Sequence, residues 1–230
     1  PEAPIEPERI GAGRRTFFVI QNHSNADDHN PGTAEQPWKT LSRAYGNLRP
    51  GDVIEIGSGV YRETLRPEVS GESGRPIFWR AQPGETVTLA NPDAGVTLFE
   101  VSHLTIAGFT IENTNRGIDI DQSLGVAIRQ CTIRNTNQEA IRLRRTRNSI
   151  IRDNVIRQSS ETGISIGSLP SSTEIPAETV QIVQNEISET GNSGIVLQGR
   201  SRKCQVIRNH IHDLEIEEGA GIAVLADDGY

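Results

Sequence analysis

The chain contains no methionine, only two tryptophans and 4% aromatic residues in 230. A layered core of this length normally uses more large side chains, so a conventional sandwich or helical bundle is disfavoured. Basic residues do not dominate: the formal net charge is −7 and the pI about 5.3. No global positive field exists, which argues against nucleic acid as a partner. No run approaches the roughly 20 apolar residues that span a bilayer. Cysteine is nearly absent, with Cys131 and Cys204 alone, too few for a disulfide framework. Lysine is limited to Lys39 and Lys203. What is plentiful is glycine, at 22 residues, together with Ile and Val. That mixture suits many short strands joined by tight corners.

An internal repeat of about 23 residues organises the C-terminal half. HLTIAGFTIENTNRGIDIDQS, GVAIRQCTIRNTNQEAIRLRRT, NSIIRDNVIRQSSETGISIGSL, ETVQIVQNEISETGNSGIVLQG and KCQVIRNHIHDLEIEEGAGIAVL align. Each carries two short alternating runs around a corner, a polar loop, and a third run headed by a small residue and isoleucine. Ile111, Ile133, Ile156, Ile187 and Ile211 are equivalent, at spacings of 22, 23, 31 and 24. Ile118, Ile141, Ile164, Ile195 and Ile222 form a second set, at 23, 23, 31 and 27. The runs have period 2, not 3.6. One coil of three short strands cannot bury its apolar face, but stacked coils bury a continuous core. Asn-Gly hairpin turns are missing, so an antiparallel sandwich is excluded. The fold expected is all-β: a right-handed parallel β-helix with three sheets.

The same register makes further expectations. Asn154, Asn185 and Asn209 share the corner between the first two runs, where stacked amides can bond along the helix axis. Cys131 and Phe109 precede them in that column. Both cysteines point inward three coils apart, on the order of 14 Å, too far for a bond. Two insertions, SLPSSTEIPAE and HDLEIEEGAG, lengthen single coils and mark loops of a binding face.

The N-terminal part divides differently. PEAPIEPERIGAG lacks the charged start and apolar centre of a signal peptide and reads as a flexible leader over 1–15. Residues 16–102 hold a cap and the first coils, and 103–230 the regular coils. In PWKTLSRAYGNL, Trp38, Leu41, Ala44, Tyr45 and Leu48 recur at three and four, which predicts a capping helix beginning at Pro37. The chain stops at GIAVLADDGY, after a third-run strand and without a capping repeat. This predicts a fragment, or an end covered by self-association or a further chain segment.

GTAEQPWKTLSRAYGNLRPGDVIEIGSGVYRE and SGESGRPIFWRAQPGETVTL resemble the opening of extracellular β-helix proteins of the pectate lyase-like superfamily. Those are polysaccharide lyases and uronate epimerases, and the likeness runs from Phe17 to Leu89. It implies an acidic polysaccharide as substrate, β-elimination as chemistry and a secreted or cell-envelope location. It also implies a lysine or arginine base and often calcium to neutralise the sugar carboxylate. Substrate in such proteins lies along the sheet that matches the third run here.

Alternation puts Asp119, Asp121, Arg142, Arg144, Ser165, Gly167, Val196, Gln198, Ala223 and Leu225 on the outside of that run. Arg142 and Arg144 are its only basic residues; either can bind a carboxylate bidentately. Arg142 is the candidate base, although a guanidinium needs an unusual environment to accept a proton. Asp119, Asp121, Arg144, Gln198 and Lys203 are candidate substrate contacts. The plainer reading of Asp119–Arg142 and Asp121–Arg144 is a surface ion-pair ladder. For calcium, Asp119 with Asp121, Asp27 with Asp28, and Asp213 with Glu215, Glu217 and Glu218 are acidic groups without fixed ligand spacing, so no metal is assigned. His210 and His212 alternate outward on the second run and lack a third ligand. Tyr61, Trp79 and Tyr230 are candidates for stacking on sugar rings. A non-catalytic polysaccharide-binding protein, adhesin or spacer stands as the alternative to an enzyme.

Overall fold

A computed structural model describes residues 14–167, 176–199, 201–215 and 219–226. The chain winds into a right-handed solenoid whose strands form three sheets, every strand pairing parallel to the equivalent strand of the neighbouring coil. The first sheet has nine strands, the second seven and the third six. The registers follow the isoleucine columns. Ile133 pairs with Ile111 and Ile156 in the second sheet, and Ile141 with Ile118 and Ile164 in the third. Ile106, Ile128, Ile151 and Ile182 align in the first. All of these side chains are fully buried in one continuous core. A one-residue slip would turn each column to water, so the alternation fixes the register.

The corner amides stack as expected. Asn154 Nδ2 donates to Asn185 Oδ1 (2.9 Å), and Asn185 Nδ2 to Asn209 Oδ1 (2.9 Å). The top of the column accepts from Cys131 N–H at 3.0 Å. Cys131 and Cys204 are both free thiols. Burial pushes the Cys131 thiol up to about 11.

Non-glycine residues with positive φ recur in columns. Asn113, Asn135, Gln158, Glu189 and Asp213 kink the second-sheet strands at φ between 49° and 56°. His103, Asn148, Thr179 and Lys203 do the same before or within the first-sheet strands. Amide and acidic side chains tolerate this region, whereas a β-branched one is strained there. Thr179, at φ 56°, is the β-branched member. Thr179→Asn is expected to stabilise the protein by about 1 kcal/mol, read as a higher urea midpoint at unchanged m-value.

The capping helix expected over 37–48 is absent; only a short 3₁₀ turn, Ser42–Ala44, forms. Its amide donors are claimed elsewhere. Trp38 N–H bonds Phe18 O (2.9 Å) and Ile20 N–H bonds Trp38 O (2.9 Å), holding Trp38 extended beside the first strand. The Lys39 and Thr40 amides donate to Asp28 Oδ1, and those of Leu41 and Ser42 to the Glu63 carboxylate. The apolar spacing still serves burial: Trp38, Leu41, Ala44 and Leu48 all join the core. No helix among the described residues is long and apolar enough to cross a membrane.

Candidate functional site

The third sheet presents its charged residues in two columns. Thr97, Asp119, Arg142, Ser165, Val196 and Ala223 align in one; Phe99, Asp121 and Arg144 align in the other. Arg142 forms a bidentate pair with Asp119, Nε–Oδ1 3.0 Å and Nη2–Oδ2 2.7 Å. Asp121, buried beneath the two guanidiniums, accepts from Arg144 Nη2 at 3.0 Å and from Arg145 Nε at 2.8 Å. Arg116 lies alongside, bonded to Glu139 Oε2 at 2.9 Å and 3.7 Å from Asp119. Among the described residues, the guanidiniums of Arg116, Arg142, Arg144 and Arg145 face the carboxylates of Asp119, Asp121 and Glu139. Burial opposes the charge on Arg142, but the Asp119 hydrogen bond and the nearby Asp119, Glu139 and Asp121 charges outweigh it and raise its pKa. A guanidinium held this way is a hydrogen-bond donor, not a proton acceptor. Arg144 Nε is buried without a partner among the described residues.

Four residues of this face, Phe99, Arg116, Glu139 and Arg145, were missed by the sequence reading. Phe99 is 51% exposed and sits one coil before Asp121. Its strand, Ala94–Phe99, precedes the first repeat that was aligned, but the VTLF alternation signals it. Arg145 escaped because its positive φ of 47° breaks the alternation and brings its side chain back to Asp121.

Other candidates lie apart. Gln198 is on the same face, two coils from Arg144 and half-buried beside Leu225. Lys203 bonds Glu178 at 3.0 Å on the first sheet, away from Arg142. Tyr61 and Trp79 are not sugar platforms: register turns them inward, where they are 1% and 0% exposed. Tyr230 lies outside the described residues, as do 168–175 of the first insertion and 216–218 of the second. His210 and His212 stand with ring centroids 4.5 Å apart. Asp28 is committed to the Lys39 and Thr40 amides. Among the described residues, no group of three His, Cys, Asp or Glu side chains is placed to hold a metal.

A groove of about 520 Å³ runs along the seam between the second and third sheets. Asn113, Asn135, Thr136, Asn137, Gln158 and Ser160 line it. Asn137 Nδ2 bonds Asn115 Oδ1 at 2.9 Å, and Asn135 approaches Asn113 at 3.4 Å. The repeated NTN at 113–115 and 135–137 is the sequence signal for it. Amide and hydroxyl groups without charge suit a ligand rich in hydroxyls.

Known proteins share this architecture. A lacto-N-biosidase of Eubacterium ramulus superimposes with a TM-score of 0.72 at 15% identity, covering 94% of this chain and 57% of that one. An alginate lyase of a Paenibacillus species gives 0.70 at 18% identity, with 86% and 66% covered. In sequence, the uncharacterized protein YwoF of Bacillus subtilis is 27% identical over 112 residues, 45% of this chain and 24% of that protein. The chain thus spans less than two thirds of each of these relatives. The model of a family described as right handed beta helix region matches residues 85–230, and the chain belongs to that family.

Proposed function

We propose that the protein is a carbohydrate-active β-helix whose third sheet binds acidic polysaccharide. The observation that carries this reading is the exposed Phe99 ring in one column with Asp121 and Arg144, beside the Asp119–Arg142 pair. A ring face stacks on a sugar, and the N–H groups that Arg142 and Arg144 do not spend on Asp119 and Asp121 supply donors for a uronate carboxylate. The amide-lined seam next to this face offers bonds to sugar hydroxyls. Binding fits the site better than cleavage does. Every guanidinium on the sheet is engaged with a carboxylate, and no lysine stands there to take a proton. A location outside the cell or in its envelope, where such polymers occur, goes with this reading.

The test is the affinity of the purified chain for polygalacturonate, alginate and chondroitin sulfate, with dextran as the neutral control. Phe99→Ala and Arg142→Ala are each expected to weaken polyuronate binding about tenfold, the equivalent of ~1.4 kcal/mol. Binding should also weaken as salt rises. Failure of the folded wild type to bind any of these polyanions, or equal affinity in both variants, would sink the proposal. A second reading, β-elimination, draws on the solved neighbours titled alginate lyase and rhamnogalacturonan lyase. It requires ultraviolet-absorbing unsaturated ends to accumulate with wild type and to vanish with Arg142→Ala.

A further inference from the structure

The outer face of the first sheet carries a second column of interest. Glu55, Arg80, Ala107, Arg129, Arg152 and Val183 align there across successive coils. The two arginines flanking Ala107 are therefore two strand spacings apart, about 9.6 Å between their backbones. A methyl group between them leaves a gap, and a pocket of about 270 Å³ occupies it. Its floor is Ala81, Ala107 and Gly108, and its walls are Arg80, Arg129, Pro83 and Gln130.

The two arginines differ in their partners. Arg80 is paired: its Nε donates to Glu55 Oε1 at 2.9 Å and its Nη2 to the same oxygen. In the next coil along, Arg152 has Asp153, Nε–Oδ2 2.7 Å. Arg129 has no carboxylate among the described residues. Its guanidinium lies 6.0 Å from the centroid of the Phe78 ring, and its Nε is buried without a hydrogen-bond partner. Arg14 also lies over that ring, at 4.9 Å, and its Nη1 is likewise buried and unpartnered. In a chain of net charge −7, this is a local excess of cations around unfilled space. A buried N–H of a charged group left without an acceptor is costly. An oxoanion over Ala107 would give the Arg129 guanidinium, which lines that space, the kind of partner that Arg80 has in Glu55 and Arg152 in Asp153.

We propose that the Arg80–Ala107–Arg129 pocket is an oxoanion-binding site, sized for one carboxylate, sulfate or phosphate group. The group sits over Ala107 and accepts from Arg129, with Gln130 at the rim. It is separate from the third-sheet face and does not depend on the function read there. Two sources share this chemistry: a free inorganic oxoanion, or an acidic substituent on a sugar.

The experiment is an NMR titration of the arginine Nε–Hε resonances with sulfate, phosphate and glucuronate, against chloride at matched ionic strength. The Arg129 resonance, identified by its loss in Arg129→Gln, is expected to shift saturably with an oxoanion and not with chloride. Arg129→Gln should weaken oxoanion affinity at least tenfold, followed by the backbone amide resonances of Gly108 and Gln130. Ala107→Glu is expected to abolish the response, because its own carboxylate occupies the gap. Arg142→Ala should leave the response intact, which separates this site from the third sheet. Saturation by sulfate or phosphate alone assigns a free anion; saturation by glucuronate alone assigns a sugar-borne one. The absence of any saturable shift overturns the proposal. So does a response that survives in both Arg129→Gln and Ala107→Glu.

Discussion

Asn185→Ala is expected to cost about 4 kcal/mol of stability, because one amide makes four bonds to three neighbouring residues. Asn185 is 1% exposed. Its Nδ2 donates to Ile151 O (3.0 Å) and to Asn209 Oδ1 (2.9 Å). Its Oδ1 accepts from Asn154 N–H (3.1 Å) and Asn154 Nδ2 (2.9 Å). Alanine leaves Ile151 O, Asn154 N–H and Asn154 Nδ2 without these partners, in a corner where Ile151 and Asn154 are buried. Asn209→Ala should cost about half as much, because Asn209 is half-buried and its Nδ2 serves only backbone oxygens. Asn185→Asp keeps the acceptor but loses both donations and buries a charge, so it should be at least as damaging as alanine. Coils touch only their neighbours, so the damage should spread outward from the break. Amide exchange in Gln205–Ile207 and His210–His212 should rise before exchange in Thr132–Thr136. The urea midpoints of the three variants measure the cost. A loss under 1 kcal/mol in Asn185→Ala would mean that the amide column merely accompanies the corner and does not hold it.

The amide column was legible in the sequence because its members fall at one repeat position, and a column of polar residues at an inward corner has few other uses. The isoleucine registers were legible for the same reason. So was the facing of Asp119 by Arg142, which follows from alternation once the register is set. Legibility ended where long-range partners override local pattern. The spacing of Trp38, Leu41, Ala44 and Leu48 suits a helix, but Asp28 and Glu63 capture the amides that would begin one. Neither carboxylate is near in sequence. Arg145 shows a second limit. A positive φ is invisible in a period-2 pattern, and it reaches Asp121, the carboxylate that the pattern assigns to Arg144 alone. Trp79 shows a third: aromatic character suggested a sugar platform, but pairing with Ile54 on one side and Ile106 on the other turns the ring into the core.

Gly117→Val is expected to destabilise the protein by more than ~4 kcal/mol, the range reserved for severe overpacking against atoms that cannot move. Each third-sheet strand is entered through a small residue: Gly95, Gly117, Ala140, Gly163, Gly194 and Gly221 precede the column of β-branched residues. A Cβ at Gly117 would lie 2.4 Å from Ala140 O and 2.6 Å from Ile133 Cγ2. The first of these is backbone of the next coil, fixed by the bond from Ile118 N–H to Ala140 O at 2.9 Å. Moving it would break the ladder; moving Ile133 would open the core. Steric closeness is the whole cause, because Gly117 does not adopt a positive φ. Ala140→Gly supplies the contrast. It removes one methyl and loosens the backbone, and should cost only about 1 kcal/mol. The corner also borders the proposed binding face, since Gly117 lies between Arg116 and Asp119 on one strand, Arg116–Asp121. A milder change, Gly117→Ala, should therefore weaken polyuronate binding along with stability if the third sheet is the binding face. Urea midpoints and polygalacturonate affinity, measured on the same three proteins, separate the two effects. A Gly117→Val protein within 1 kcal/mol of wild type would show that adjacent coils part more easily than their packing implies. A Gly117→Ala protein that stays folded and binds as wild type would detach the Asp119–Arg142 face from polysaccharide recognition.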